Sequence, residues 1–484
     1  VTNLTPHLPA NRPLIWSDAI LDLQELLLDV EPHLPLYIVG GAVRDAFLHR
    51  ATRDIDFVTP EYSIRLAKRI ADKLNADVFI LDQERGVARV IWQTPNEKLV
   101  LDVARYRGDD LLADIMGRDF TVNTMLVDAR DDLNLLIDPL NGERDAEDRL
   151  LRACTPQSLA DDPIRVLRAI RQSVQLSFRI EPETLKQVRE YASSVVNTSG
   201  ERVRDELFNV LKLGKASAAL RVMQTVGLLQ AIIPEIDTLI NQPQPAPHVF
   251  DAWAHTLYAI EKLQYLLVAI SPRRTDNSVA SFDMGMLVMQ LDRFRQPLIA
   301  HIDQSWANER PHIALLTFTT LFHAMGEEDA PNIARLYSDE LKLSNPEKKR
   351  VVGALANYKR VFELDPDDVL EVHRFWYRLG EIGVDAVFLA VVDYLATYGV
   401  TLVQADWLRR VEGLVKLLWA YFKDYERVVL PPPLLQGNEL IEAFSLPQGR
   451  IIGQLLDAIR EGQVLGTVEN REDAFALARQ ILAK

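Results

Sequence analysis

The chain has 484 residues, 48% of them hydrophobic and 25% charged, and a formal net charge of −15. This is an ordinary globular composition. Its acidity excludes a protein that coats nucleic acid nonspecifically, because such binding rests on many Lys and Arg contacts to phosphate.

At roughly 150 residues per domain, the length implies about three domains. The single cysteine, Cys154, rules out an internal disulfide and fits a reducing, cytoplasmic setting. No apolar run approaches the roughly 18 residues of a membrane span, and no basic-then-apolar leader opens the sequence, so neither a membrane nor secretion is expected. Helical apolar spacing over residues 16–29, WSDAILDLQELLLD, predicts a first helix behind Ser17 or Asp18. LYIVGG (36–41) reads as a buried strand that stops at two glycines, and RDIDFVT (53–59) as a second strand. An amphipathic helix, SIRLAKRIADKLNA (63–76), precedes three further strands, ADVFILD (76–82), GVARVIWQ (86–93) and KLVLDVARY (98–106). From about residue 145 the strand signals fade and the pattern is helical. It is interrupted at QPQPAPH (242–248), SPRRTDNSV (271–279) and VLPPPLLQG (429–437). The first and last of these mark boundaries, since closely spaced prolines cannot continue a helix.

The chemistry begins where the first buried strand ends. Glycine lets a backbone turn sharply and approach a ligand closely. A strand, then Gly40-Gly41, then a helix gathers free N–H groups and a positive helix end at one point, a site for phosphate. Arg44, in the first turn of that helix, offers a fork of donors to phosphate oxygens. On a strand, residues i and i+2 share a face, roughly 7 Å apart. Asp54 and Asp56 therefore form a paired carboxylate platform, while Ile55 and Phe57 face the core. Hard oxygen ligands beside a phosphate cradle suit Mg²⁺, and two such ions can clamp both the attacking and the leaving oxygen of an in-line displacement. Either piece alone is commonly a turn or a solvated strand edge; strand, diglycine, helix and acidic strand in succession form a stronger signal. Asp102, in another apolar strand, either completes a metal triad or orients Arg105.

In DDPIRVLRAIR (161–171), Arg165, Arg168 and Arg171 recur every third residue and share a helical face. Pro163 suits the first turn and Asp162 the cap. The bland reading is a capped helix with a basic solvent face. An Asp and an Arg held side by side also present an acceptor and donors, which read a base edge as a complementary base would. Cytosine and adenine carry an amine beside a ring acceptor, and uracil and guanine do not. Such a pair selects C and A without a nucleic-acid template.

GGAVRD followed by RDIDF resembles the signature of the class II tRNA nucleotidyltransferase and bacterial poly(A) polymerase family. GRDFTVNTMLVD (117–128), DPLNGERDAEDRLLR (138–152), DDPIRVLRAIR and ERVRDEL (201–207) are similar to its further motifs, in order and spacing. The resemblance implies an α+β fold: a small DNA polymerase β-like nucleotidyltransferase head with a mixed sheet, then a mostly α-helical neck, body and tail. The implied limits are a catalytic head over 1–140, a nucleotide-selecting neck over 141–240, a body over 241–428 and an RNA-binding tail over 429–484. The implied activity adds the 3′-terminal CCA to tRNA from CTP and ATP, releasing pyrophosphate. By the same resemblance, Asp54 and Asp56 hold Mg²⁺, and Gly40, Gly41 and Arg44 hold the triphosphate. Arg118 and Asp119 contact the incoming nucleotide, and Asn123 shapes the turn. Asp162 and Arg165 read the base, while Arg168 and Arg171 serve phosphate or packing. The chain departs from the family where Gly117-Arg118 replaces two arginines and Asp161 replaces a glutamate.

HVFDAWAHTLYAIEKL (248–263) and LLTFTTLFHAMGEE (315–328) resemble an HD-type helical domain found in some members. The metal-binding His-Asp pair of that domain is His323-Ala324 here, and alanine cannot ligate. His248, Asp251 and His255 remain as candidate ligands. The expectation is a degenerate, metal-free body that presents a surface to tRNA. The tail resembles the family's C-terminal helices, with Gly449 and Gly453 allowing close helix approach. An A-adding or CC-adding specialist and a poly(A) polymerase share every motif and would differ in a flexible loop, placed here at Gln83 to Lys98. An HD-type metal phosphohydrolase with a vestigial head is the more remote alternative. Oligomeric state is not legible.

Overall fold

Apolar alternation in the first third of the chain builds one mixed, eight-stranded sheet. A computed structural model describes residues 8–272, 282–326 and 328–483. The strands are β1 (Leu8–Pro9), β2 (Tyr37–Val39), β3 (Asp54–Thr59), β4 (Asp77–Asp82), β5 (Val87–Gln93), β6 (Lys98–Arg105), β7 (Leu126–Asp128) and β8 (Leu135–Ile137), in the spatial order β1-β8-β7-β2-β3-β6-β5-β4. β3 and β6 run parallel; the other pairs are antiparallel. The helices are α1 (Asp18–Leu27), α2 (Gly41–Phe47), α3 (Ser63–Leu74), α4 (Leu111–Met116), α5 (Gly142–Glu147), α6 (Ser158–Asp161) and α7 (Ile164–Leu176). α3 covers one sheet face with Leu66, Ala67 and Ile70, all fully buried. The five long-pattern strands and both early helices lie where apolar spacing puts them.

β1, β7 and β8 are too short to announce themselves by alternation. β7 is fixed by pairing with β2, Ile38 opposite Val127, and β8 by pairing with β7, Val127 opposite Leu136. The stretch Gln83–Lys98 is a tight turn, strand β5 and a second turn, not a flexible loop. Ala88 and Val90 are fully buried, and that alternating burial makes it a strand.

The chain resolves into two compact units, Val1–Thr198 with Thr225–Ala231, and Ser199–Gln224 with Ile232–Lys484. The sheet and α7 thus belong to one unit, and position 140 falls inside it. The second unit is helical. Ala252–Ile270, His312–Phe322 and Glu381–Tyr398 supply much of its core. Among the described residues one segment, Glu381–Thr401, is long and apolar enough to cross a membrane, contrary to the sequence expectation; 78% of its apolar window is buried, the state of a core helix. The predicted break at QPQPAPH precedes the helix starting at Ala252, and the one at VLPPPLLQG precedes Gly437–Phe444. SPRRTDNSV lies largely outside the described residues. The tail helices Gly437–Phe444, Arg450–Leu465 and Arg471–Leu482 share a small core around Leu440, Leu455 and Ile459. Gly449 and Gly453 have nothing within 4 Å of an added Cβ, so close approach does not explain them. Gly462 fills that role instead, against Val468.

Candidate active site

β2 ends at Gly40, whose φ of +80° favours glycine and whose added Cβ would lie 3.2 Å from Asp56 Oδ2. The chain then enters α2 at Gly41. Asp54 and Asp56 are exposed on one face of β3, with Ile55 and Phe57 fully buried on the other. Strand register sets Asp56 beside Asp102 of β6, and Asp102 beside Arg89 of β5. The surrounding protein, then the charge of Asp102 and to a lesser degree of Asp54, push the Asp56 carboxyl up to about 6; Arg118 and Arg168 pull against this. Asp102 does not orient Arg105, which donates to the Glu84 carbonyl at 3.2 Å. Both its oxygens are taken by Arg89, whose Nε and Nη2 each donate at 2.8 Å.

The arginines expected around the phosphate are held in different ways. Arg44 is mostly buried, with Nη1 donating to Asn123 Oδ1 at 2.6 Å and Nε to Asp45 at 2.9 Å. It braces the α2 turn from beneath rather than standing open. Arg118 and Asp119 do not pair with each other. Arg118 donates through Nε and Nη2 to buried Asp114, at 3.0 and 2.8 Å. Its Nη1 is left over Gly40, 3.7 Å from where a Cβ would stand.

Asp119 is buried and fully engaged. It accepts from the Phe120 N–H at 2.8 Å, Asn123 Nδ2 at 2.9 Å, Arg168 Nε at 2.9 Å and Gln172 Nε2 at 3.4 Å. Burial alone would raise its pKa; the charge of Arg168 and these hydrogen bonds overcome that and hold it well below the ordinary carboxylate range. Asp119 therefore ties α7 to the turn at Phe120–Asn123 within the same unit. Asn123, in a short 3₁₀ turn, joins Arg44, Asp119 and Gln172.

Pro163, not Asp162, occupies the cap position of α7, and Asp162 ends the preceding α6. Asp162 Oδ2 lies 4.0 Å from Arg165 Nε, so the two are side by side. Arg165 meanwhile donates to three carbonyls: Gly117 at 2.6 Å, Arg118 at 3.0 Å and Ser158 at 3.1 Å. Arg171 reaches Gln175 Oε1 at 3.1 Å. Sequence reasoning missed Arg89, Asp114 and Gln172. The i,i+4 spacing of Asp114 and Arg118 was a usable signal. Arg89 alternates with buried Ala88 and Val90, which assigns it a face but not a neighbour.

Among the described residues the body unit carries two His-His-Asp groups. His255 Nε2 lies 3.0 Å from both His323 Nε2 and Asp393 Oδ1, beside a cavity of about 460 Å³ that Ala324 also lines. Asp393 is the partner that sequence spacing could not supply. Asp251 instead caps its helix, accepting from the Ala254 N–H at 2.8 Å, and His248 contacts the Pro245 carbonyl at 3.0 Å. In the second group, His301 and His312 both approach Asp385 Oδ1, at 2.7 and 2.8 Å. Trp306 Nε1–H donates to His312 Nδ1 at 3.1 Å, which leaves the ring proton on Nε2. Arg350 supplies the positive charge there, with Nε 2.5 Å from Asp385 Oδ2.

Comparison with known proteins agrees with this geometry. Residues 36–152 match the poly A polymerase head domain, and residues 177–240 match the probable RNA and SrmB-binding site of polymerase A. The chain is 28% identical over 448 residues to a CC-adding tRNA nucleotidyltransferase of Synechocystis, covering 92% of this chain and 93% of that one. It is equally, 28%, identical to an A-adding tRNA nucleotidyltransferase of Deinococcus radiodurans, over 92% of this chain and 94% of that one. A solved CCA-adding enzyme in an apo form shares the fold, with a TM-score of 0.61 at 20% identity, over 97% of this chain and 95% of that chain. A poly A polymerase head domain that spans the diglycine turn and the acidic row, with tRNA nucleotidyltransferases as the relatives along nine-tenths of the chain, identifies the protein as a nucleotidyltransferase.

Proposed function

We propose that the protein builds or repairs the 3′-terminal CCA of tRNA from CTP and ATP, the RNA 3′-hydroxyl attacking the α-phosphorus in line and pyrophosphate leaving. The observation that carries this reading is the acidic row at the Gly40 turn, with Arg118 Nη1 directed to the same point. Asp54 and Asp56 fit a divalent cation: they are accessible hard-oxygen ligands, and the Asp56 carboxyl is raised first by the protein around it and then by the charges of Asp102 and Asp54, which a cation would offset. Magnesium ions bound there would lower the pKa of the 3′-hydroxyl and steady the leaving pyrophosphate.

The chain's own groups do the holding. The bare Gly40 backbone admits the triphosphate, and Arg118, braced by Asp114, meets it with one free donor pair. Arg44 and Asn123 keep the turn in shape. Asp162 and Arg165, side by side at 4.0 Å, supply the acceptor and donors that would read a base edge, with Arg165 exchanging carbonyl contacts for the base. The division into head, neck, body and tail belongs to the same proposal, as does docking of the acceptor stem by shape and backbone on the helical portion.

A CC-adding or A-adding specialist is the second reading, favoured by likeness over about nine-tenths of the chain to two CC-adding relatives and one A-adding relative. Purified protein with Mg²⁺ is given tRNA ending before CCA, after C and after CC, with each labelled NTP. C, C and then A is the expected result. C without A, or A alone, shows a specialist, and long A tails show a polymerase. Absence of any addition defeats the proposal. In Asp162→Ala the discrimination against UTP and GTP should fall; unchanged exclusion removes the base-reading role from Asp162.

A further inference from the structure

Three adjacent strands present Asp56, Asp102 and Arg89 in one lateral row. Of the row's two carboxylates, Asp102 alone is gripped by a fork: Arg89 Nε and Nη2 take one oxygen each at 2.8 Å. The guanidinium is planar and its two bonds are parallel, the geometry in which an Arg–carboxylate pair is strongest. Arg89 remains charged at any working pH. Asp102 thus stands at the site as a carboxylate already paired, with both oxygens committed to Arg89.

We propose that Arg89 is the resident counter-ion of Asp102, and that its fork keeps Asp102 out of metal coordination, so that Asp54 and Asp56 alone hold the divalent cation of the nucleotide-free enzyme. Asp102 is then a positioning residue, a fixed negative neighbour of Asp56, and Arg89 sets how tightly the free site binds metal. Without Arg89, three carboxylates would converge on one face of β3 and β6. A cation would then be held firmly before any nucleotide brought its phosphates. The inference rests on the carboxylate site proposed above.

The test is Mn²⁺ binding to the full chain without nucleotide, read by electron paramagnetic resonance and confined to the fraction that Asp56→Asn abolishes. Releasing Asp102 by Arg89→Met should tighten Mn²⁺ about tenfold, as expected for unmasking one charge at short range. Arg89→Lys, which keeps the positive charge, should stay near wild type. Arg89→Met with Asp102→Ala, which removes the pair as a unit, should return to within about twofold of wild type. Unchanged or weaker binding in Arg89→Met overturns the inference. So does a double variant as tight as Arg89→Met, which would trace the gain to lost repulsion alone, or one about tenfold weaker than wild type, which would make Asp102 a ligand already. If wild type has no Mn²⁺ binding that Asp56→Asn removes, the carboxylate site itself fails, and the inference with it.

Discussion

Asp56 carries a cost that the proposed metal site explains. Its carboxyl is raised from 3.8 to about 6, first by the protein packed around it and then by Asp102. A carboxyl raised in the folded state favours folding when protonated, and that contribution is lost as pH rises from about 4 through about 6. Metal-free protein at pH 7 therefore bears an unfavourable charge. Asp56→Asn should abolish nucleotide addition yet stabilise the metal-free protein at pH 7 by about 1 kcal/mol, most of the full shift being screened at so accessible a group. The gain should shrink below pH 5. Chemical denaturation in EDTA at both pH values measures it; a destabilised variant at pH 7 would contradict the charge argument. Asp119 has the opposite sign. Its contribution is complete above about 4 and fades as acid protonates the unfolded chain first. Asp119→Ala leaves Arg168 and Gln172 without their common acceptor and should cost about 3 kcal/mol at pH 7, the lower end for breaking a buried pair because Arg168 is part-exposed.

Individual elements were legible where their physics is local. The alternation of Ala88 and Val90 about Arg89 announces β5, and a diglycine stop announces the β2–α2 turn. What the sequence could not show is lateral. Asp102 has Arg105 three residues away and Arg89 thirteen residues away, and only the β5–β6 register reveals that Arg89 is the partner. Asp119 and Arg118 are neighbours in sequence, yet each bonds elsewhere, Arg118 to Asp114 and Asp119 to Arg168. The same limit hid Asp393, which meets His255 only when the helix Glu381–Tyr398 packs against Ala252–Ile270. Both helices are continuous apolar patterns that specify burial without specifying a partner. In the body, the His255, His323 and Asp393 group is one ligand short of a His-Asp phosphohydrolase because position 324 is alanine. No phosphate release from nucleotides is expected with Mg²⁺, Mn²⁺ or Ni²⁺ added. Colorimetric phosphate detection checks this, and release lost on His323→Ala would restore the hydrolase reading.

Across the whole molecule, 69 acidic against 54 basic residues leave little surface that welcomes RNA. Binding must then rest on a few confined contacts. The logarithm of RNA affinity should fall with the logarithm of salt at a slope between about −2 and −4, as for roughly two to five neutralised phosphates; filter binding from 50 to 200 mM salt gives the slope, and a value near −8 would indicate a broad basic face instead.

The three carbonyls that seat Arg165 also bear on attempts to redesign this enzyme. Two of them belong to Gly117 and Arg118, so the side chain proposed to read the base is fastened to the peptide that carries the guanidinium proposed to face the phosphate. On that proposal, choice of letter and grip on its tail share one hinge pin. An engineer who exchanges Arg165 to admit a new base would then slacken the triphosphate grip in the same stroke, and would need a second substitution near Gly117 to recover it.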